Sequence, residues 1–341
     1  ALIMEKTMRA AVIQKYRQRN LTLTTVPVPK IQETDVLVKI VAASLNPIDL
    51  KTRDGKLRFL LHYKMPLILG SDFAGIVEQI GSRVTNVHVG DAVYGRVQKN
   101  RIGTFAEYIA VDQNDIAPKP GNLTFEQAAA VPLVGLTSYQ ALSDLMRIKA
   151  GDNVFIQAGS GGIGTMAIQI AKQMGAFVAT TTSAKNAELV TQLGADQVID
   201  YHTTDFDRVL RNYDAAFDTM GGDLLQKTFK IVKPGGKIVS LSGLLDGHFA
   251  KSYGLPWWKQ AMLWLANGSI RKLERETKVA YRFLFMKPSG AQLRIINHLI
   301  EAKKVTPMID RVVPFSQIQS AVDYLETGRA QGKVIVRIAD H

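Results

Sequence analysis

Residues 152–176 read DNVFIQAGSGGIGTMAIQIAKQMGA. Val154, Phe155 and Ile156 give the continuous apolar run of a buried parallel strand, and Ile163, Ala167, Ile170, Ala171 and Met174 recur on one helical face. Between strand and helix lies the turn formed by Gly159, Ser160, Gly161, Gly162, Ile163 and Gly164. In such a unit the first glycine permits the turn, the second lets backbone N–H groups approach a pyrophosphate, and the third lets the helix press against the strand. The phosphate then rests on the positive end of the helix dipole. The stretch reads as a dinucleotide-binding site.

A glycine motif alone is weak evidence, and the flanks decide. A second strand-like run spans residues 176–182, followed by Lys185 and a helix through Leu189, Val190 and Leu193 to Gly194. Further strand-like runs follow at 197–200 and at 213–218, the latter leading to Met220, Gly221 and Gly222. Lys233, Pro234, Gly235 and Gly236 give a hairpin-like signal before a run at 237–241. Strands alternating with helices predict an α/β fold with a doubly wound parallel sheet of the Rossmann kind.

NAD sites place an Asp or Glu about 20 residues on, where it holds the ribose 2′-OH. Here that place reads Thr180, Thr181, Thr182, Ser183, Ala184, Lys185, Asn186, and the first carboxylate is Glu188. A hydroxyl and an ammonium suit a 2′-phosphate, which an acid would repel. One charge-assisted hydrogen bond from Lys185 supplies about 1.5 to 3 kcal/mol, so NADPH is the expected cofactor.

Further motifs span nearly the whole chain: SLNPID at 44–49, GSDFAG at 70–75 with Gly90, Asp91 and Val93, GTFAEY at 103–108, VPLVGLTSYQAL at 131–142, DAAFDTMGG at 214–222 and GKVIV at 332–336. With the glycine loop they resemble the medium-chain dehydrogenase/reductases, and within these the zinc-independent quinone and enone reductases. The resemblance implies a GroES-like β domain beside the Rossmann domain, with the active site between them. It also implies a homodimer joined through the last Rossmann strands, and it extends the cofactor set to Thr137, Tyr201, Ser242, Gly243 and Lys333.

The chain departs from the zinc alcohol dehydrogenases in having no cysteine. Their catalytic and structural zinc sites both need cysteine ligands, and Asn46 and Ser71 stand where the family has a cysteine and a histidine. His62, His88, His202, His248, His298 and His341 show no metal-binding spacing, so no metal is expected. Without a Lewis acid, an already electrophilic acceptor is the better substrate: a quinone, or the β-carbon of an α,β-unsaturated carbonyl. Asn46 and Lys51 are the candidate donors to the developing oxyanion, with Tyr63 a weaker third. Asp49 reads as a local cap or structural pair.

The chain has 341 residues, 46% hydrophobic and 21% charged, which suits two globular domains. Ala1 to Ile3, ahead of Met4, are read as foreign to the fold. The β domain is expected over residues 1–123, the Rossmann domain over 124–288 with a last strand at 279–286, and a C-terminal return over 289–341 that completes the β domain. Neither a targeting segment nor a spanning helix is evident. With no cysteine in the chain, the expectation is a cytoplasmic enzyme.

The net charge of +12 and pI near 9.7 raise a second reading. In it the chain binds nucleotide but acts mainly on single-stranded nucleic acid or a membrane surface. The spread of the charges, with no block of five or more alike, argues against nucleic acid. Residues 255–278, LPWWKQAMLWLANGSIRKLERETK, bring Trp257, Trp258 and Trp264 close to Arg271, Lys272 and Arg275. Such a segment suits a pocket wall or dimer contact, a cover over the core, or a membrane interface.

Overall fold

The computed structural model describes residues 5–341, so Ala1 to Ile3 lie outside the described residues. The chain forms two compact units, one from residues 5–136 and 287–341, the other Thr137–Met286. In chain order the first eight strands are β1 (Thr7–Ile13), β2 (Thr22–Pro27), β3 (Asp35–Leu45), β4 (Leu67–Ile68), β5 (Asp72–Ile80), β6 (Ala92–Arg96), β7 (Tyr108–Asp112) and β8 (Ile116–Pro118). The second unit holds β9 (Asn153–Ile156), β10 (Phe177–Thr182), β11 (Gln197–Asp200), β12 (Tyr213–Asp218), β13 (Val232–Ser240) and β14 (Ala280–Phe283). The first unit resumes with β15 (Ile309–Pro314) and β16 (Lys333–Arg337).

The first unit holds the expected β domain. Its centre is β3, eleven residues of which only Lys39 is exposed. That strand pairs antiparallel with β5 along one edge and with β7 and β16 along the other, and its side chains are buried on both faces. The longest sheet path runs β15–β16–β3–β5–β6–β8, and β2–β1–β4 form a smaller sheet. Ile40, Phe73, Phe105, Ile116 and Val336 are among the buried side chains of the core. The C-terminal return is therefore part of this unit, through β16 on β3. The unit also runs on to Leu136, past the expected end at Leu123. Part of the reason is local: the Leu133 N–H is held by the buried Asp72 carboxylate at 2.9 Å.

In the second unit the strand order is β11–β10–β9–β12–β13–β14, every pair parallel. This is the doubly wound order, with its reversal point between β9 and β12. Lys233–Gly236 do not make the expected hairpin. They form an irregularity inside β13: Tyr213 pairs with Val232, and the next pair is Ala215 with Lys237. Gly235, at φ +85°, donates its N–H to Lys278 O at 2.7 Å. The tryptophan segment breaks at Asn267 into two helices, Trp257–Ala266 and Gly268–Thr277, and the first buries none of its residues. It does not cover the core. Among the described residues no helix is long and apolar enough to cross a membrane.

Candidate functional site

In the second unit the chain leaves β9 and enters the helix Gly162–Gln173 with Gly161 as its N-cap. A Cβ on Gly159 would collide with Thr180 Oγ1, and one on Gly164 would collide with Ala158 O and lie 2.8 Å from Gly159 Cα. Both glycines are therefore required by packing. Gly161 differs: its φ of −76° suits any residue, and a Cβ there meets only Ala158 O at 3.6 Å. Nothing among the described residues demands glycine at 161, so the free approach it leaves fits a bound phosphate.

The loop is tied to its neighbours by hydroxyls. Thr182 donates to Ser160 Oγ at 3.1 Å, and the N–H of Ala158 donates to Thr181 Oγ1 at 3.1 Å. Beyond β10, Ser183 is half-buried and Lys185 exposed, with no ion-pair partner for Lys185 among the described residues. Tyr201 follows β11 and is 58% exposed, its N–H donating to Thr182 O at 3.3 Å. Asp200, opposite Thr182 in register, has Oδ1 turned onto the His202 N–H at 2.9 Å. Ser160, Ser183, Lys185 and Tyr201 thus gather at the ends of β9, β10 and β11.

The remaining sequence candidates of this unit are more structural. Thr137 is buried in the helix Pro132–Tyr139. Gly243 leaves room for the Tyr281 hydroxyl and donates its N–H to Ser240 Oγ at 2.8 Å. Ser242 is exposed and donates to Thr219 O at 2.7 Å. Gln157 and Asp218 were not foreseen. Gln157 Oε1 accepts the N–H groups of Thr219 at 3.1 Å and Met220 at 3.2 Å, which fastens the loop after β9 to the loop after β12. Asp218, its carboxyl raised by burial, accepts from Gly221 N–H at 3.1 Å and from Ser240 Oγ at 2.6 Å. The only sequence signal for either was its place at a strand end.

In the first unit a buried polar cluster occupies the ends of β3, β5 and β6. Asn46 caps the helix Pro47–Arg53, its N–H donating to Asp49 Oδ2 at 2.8 Å. Its Nδ2 donates to Asp72 Oδ1 at 3.0 Å, and its Oδ1 accepts from Lys333 Nζ. Asp72 also accepts from Ser44 Oγ at 2.5 Å, and Asp49 from Ser71 Oγ at 3.3 Å. Burial pushes the Asp49 carboxyl up to about 7; the Asn46 N–H opposes this, Asp72 adds to it, and Lys333 and Arg96 oppose it. The expected cap is present, and its carboxyl titrates far above the usual range.

Two expected roles change. Lys333 was a cofactor candidate, yet it is 4% exposed, bonded to Leu45 O at 3.0 Å and to Asn46. Asn46 was a candidate oxyanion donor, yet its amide is committed at both ends. Both are spent on neutralising and orienting the buried carboxylates. Lys51, in the last turn of the same helix, is half-buried, and its side chain makes no hydrogen bond or ion pair among the described residues. Burial, with Lys56 nearby, lowers its affinity for a proton. Tyr63 donates to Lys99 O at 2.5 Å. Burial, with Arg96 and Lys287 close, lowers the Lys99 ammonium well below its usual range.

Residues 32–121 match the model of the alcohol dehydrogenase GroES-like domain, and residues 193–336 that of zinc-binding dehydrogenases. The second name describes the wider family; this chain has no cysteine. A 2-methylene-furan-3-one reductase of Solanum lycopersicum is 36% identical over 92% of the chain and 74% of its own length. A chloroplastic NADPH-dependent alkenal/one oxidoreductase of Arabidopsis thaliana is 35% identical over the same shares. The solved quinone oxidoreductase of Coxiella burnetii superposes with a TM-score of 0.83 at 33% identity, covering 98% of this chain and all of that one. The chain belongs to the medium-chain dehydrogenase/reductase superfamily of nicotinamide-dependent oxidoreductases, on the branch of the quinone and enone reductases.

Proposed function

We propose that the protein is a zinc-independent, NADPH-dependent reductase of α,β-unsaturated carbonyl compounds and quinones, acting as a homodimer. The observation that carries the cofactor choice is the acid-free end of β10, where half-buried Ser183 and exposed Lys185 follow Thr182. The relatives named for an alkenal/one, a furanone and a quinone support the acceptor class. The dimer rests on β14, which pairs with β13 alone among the described residues; a strand with one open edge invites a partner. A main role on single-stranded nucleic acid or a membrane surface, raised by the charge, finds no support in the relatives.

The reduced nicotinamide supplies the hydride; everything else falls to side chains. Gly161 and the helix Gly162–Gln173 receive the pyrophosphate, and Ser183 and Lys185 receive the 2′-phosphate. Lys51 is assigned the developing oxygen charge: its ammonium is half-buried and without a side-chain partner among the described residues, and burial lowers its affinity for a proton. Asn46 and Lys333 act one step back, holding the helix that carries Lys51.

The test is a titration of both nucleotides followed by an acceptor panel. NADPH should bind at least about tenfold more tightly than NADH, and Lys185→Ala should remove most of the difference. Turnover should appear with enones or quinones and survive dialysis against a strong chelator. Equal affinities refute the cofactor choice. Activity restored by zinc alone refutes the metal-free site.

A further inference from the structure

The helix Trp257–Ala266 is turned inside out. Trp257 is 79% exposed, Leu265 72% and Trp264 62%, with Trp258 and Met262 beside them. Its half-buried positions are Lys259, Gln260 and Leu263. A helix at the surface of a globular unit ordinarily presents its polar side to water; this one faces two of its polar residues inward and three tryptophans outward. A contiguous apolar face of this kind marks a surface that meets something else.

Charge says what that something is. From residue 247 to 273 the chain has no Asp or Glu, and it carries Lys251, Lys259, Arg271 and Lys272. Two of these cations lie against the tryptophan rings, and Lys272 pairs with Glu276 at 3.8 Å. The Arg271 guanidinium lies 3.9 Å from the centre of the Trp264 ring, and Lys259 Nζ 5.5 Å from that of Trp258. Lys251 and Lys272 are exposed on the flanking helices, Gly247–Tyr253 and Gly268–Thr277. Two copies meeting through this face would set one basic rim against another, in a chain of net charge +12. An anionic lipid surface matches both parts, because tryptophan settles at the headgroup level and lysine and arginine pair with the phosphates above it.

We infer that the helix Trp257–Ala266 docks the protein on the surface of an anionic phospholipid bilayer. Its ten residues make about 15 Å of helix, half of what spanning needs, so it lies in the plane of the interface. The inference stands independently of the reductase reading.

The experiment is sedimentation of the full chain with vesicles of phosphatidylcholine and phosphatidylserine, and with phosphatidylcholine alone, while tryptophan emission is followed. Binding to the mixed vesicles, a blue shift, and weakening by salt are expected, with little binding to phosphatidylcholine alone. Lys251→Glu/Lys272→Glu should lower partitioning about thirtyfold or more, and Trp257→Ser/Trp264→Ser at least about tenfold. Both pairs are exposed, and unchanged thermal unfolding verifies that the variants fold. The inference is overturned if the unmutated protein stays in the supernatant with unshifted emission. It is equally overturned if the tryptophan variant turns a dimer into a monomer, which would give the face to a second copy.

Discussion

Asn46 Nδ2 donates to Asp72 Oδ1 at 3.0 Å, joining the residue after β3 to the first residue of β5. Both side chains are buried, and the amide oxygen of Asn46 takes the Lys333 ammonium in the same stroke. With Ser44, which also donates to Asp72, the three side chains form one buried hydrogen-bond network.

Asn46→Ala should therefore act first on stability. It leaves Asp72 and Lys333 each short of a buried partner, a loss of about 1–3 kcal/mol. Denaturant unfolding measures it. Unchanged stability combined with lost turnover would make Asn46 a direct donor after all.

Asp49 sets a pH dependence. Its folded carboxyl titrates near 7 and an unfolded aspartate near about 4. Between these values the folded state binds the extra proton, so this residue's contribution lowers stability as pH rises from about 4 to about 7 and is level above. The slope is at most about 1.4 kcal/mol per pH unit. Asp49→Asn keeps an acceptor for the Asn46 N–H and should flatten the profile, gaining most on the parent near pH 8. Parallel profiles for the two proteins would refute the raised carboxyl.

Two glycines of one motif should respond oppositely. Gly164→Ala drives a Cβ into Ala158 O and Gly159, and overpacking of this kind costs about 1–3 kcal/mol. Gly161→Ala meets nothing closer than 3.6 Å, so its melting temperature should hold while NADPH affinity falls about tenfold or more. Calorimetry and nucleotide titration on both variants make the comparison. Equal effects on stability would remove the argument that Gly161 is reserved for a ligand.

Lys51→Ala should lower kcat by about a hundredfold, the cost of one lost oxyanion donor, and leave NADPH affinity unchanged. Lys56→Ala, an exposed neighbour, serves as the control. Full turnover in Lys51→Ala would move the donor elsewhere.

The sheet of the second unit was legible because strand-like runs alternate with helical periodicity and end at glycine or a polar turn. Val154 to Ile156 is such a run, and it is continuously apolar. Residues 233–236 misled because Pro-Gly-Gly signals a turn wherever it occurs, while only pairing with β12 shows a bulge. Lys333 misled for a different reason. Its motif is legible, but the direction of one ammonium depends on Leu45 and Asn46, almost three hundred positions earlier. The helix Pro47–Arg53 was not read as a helix from the sequence; its signals are Asn46 and Pro47 at its start, with Asp49 completing the cap.

The return of β16 to β3 has a consequence for synthesis. A nascent chain emerges from the ribosome with the whole of Thr137–Met286 before it, so the parallel sheet can close while β3 still waits for the strand that covers one of its edges. During that interval the Asn46 amide lacks Lys333, and an apolar strand edge stands open to other chains. Chains stalled before Lys333 should accordingly recruit chaperones and yield to protease within residues 5–136. Chains released after Arg337 should resist.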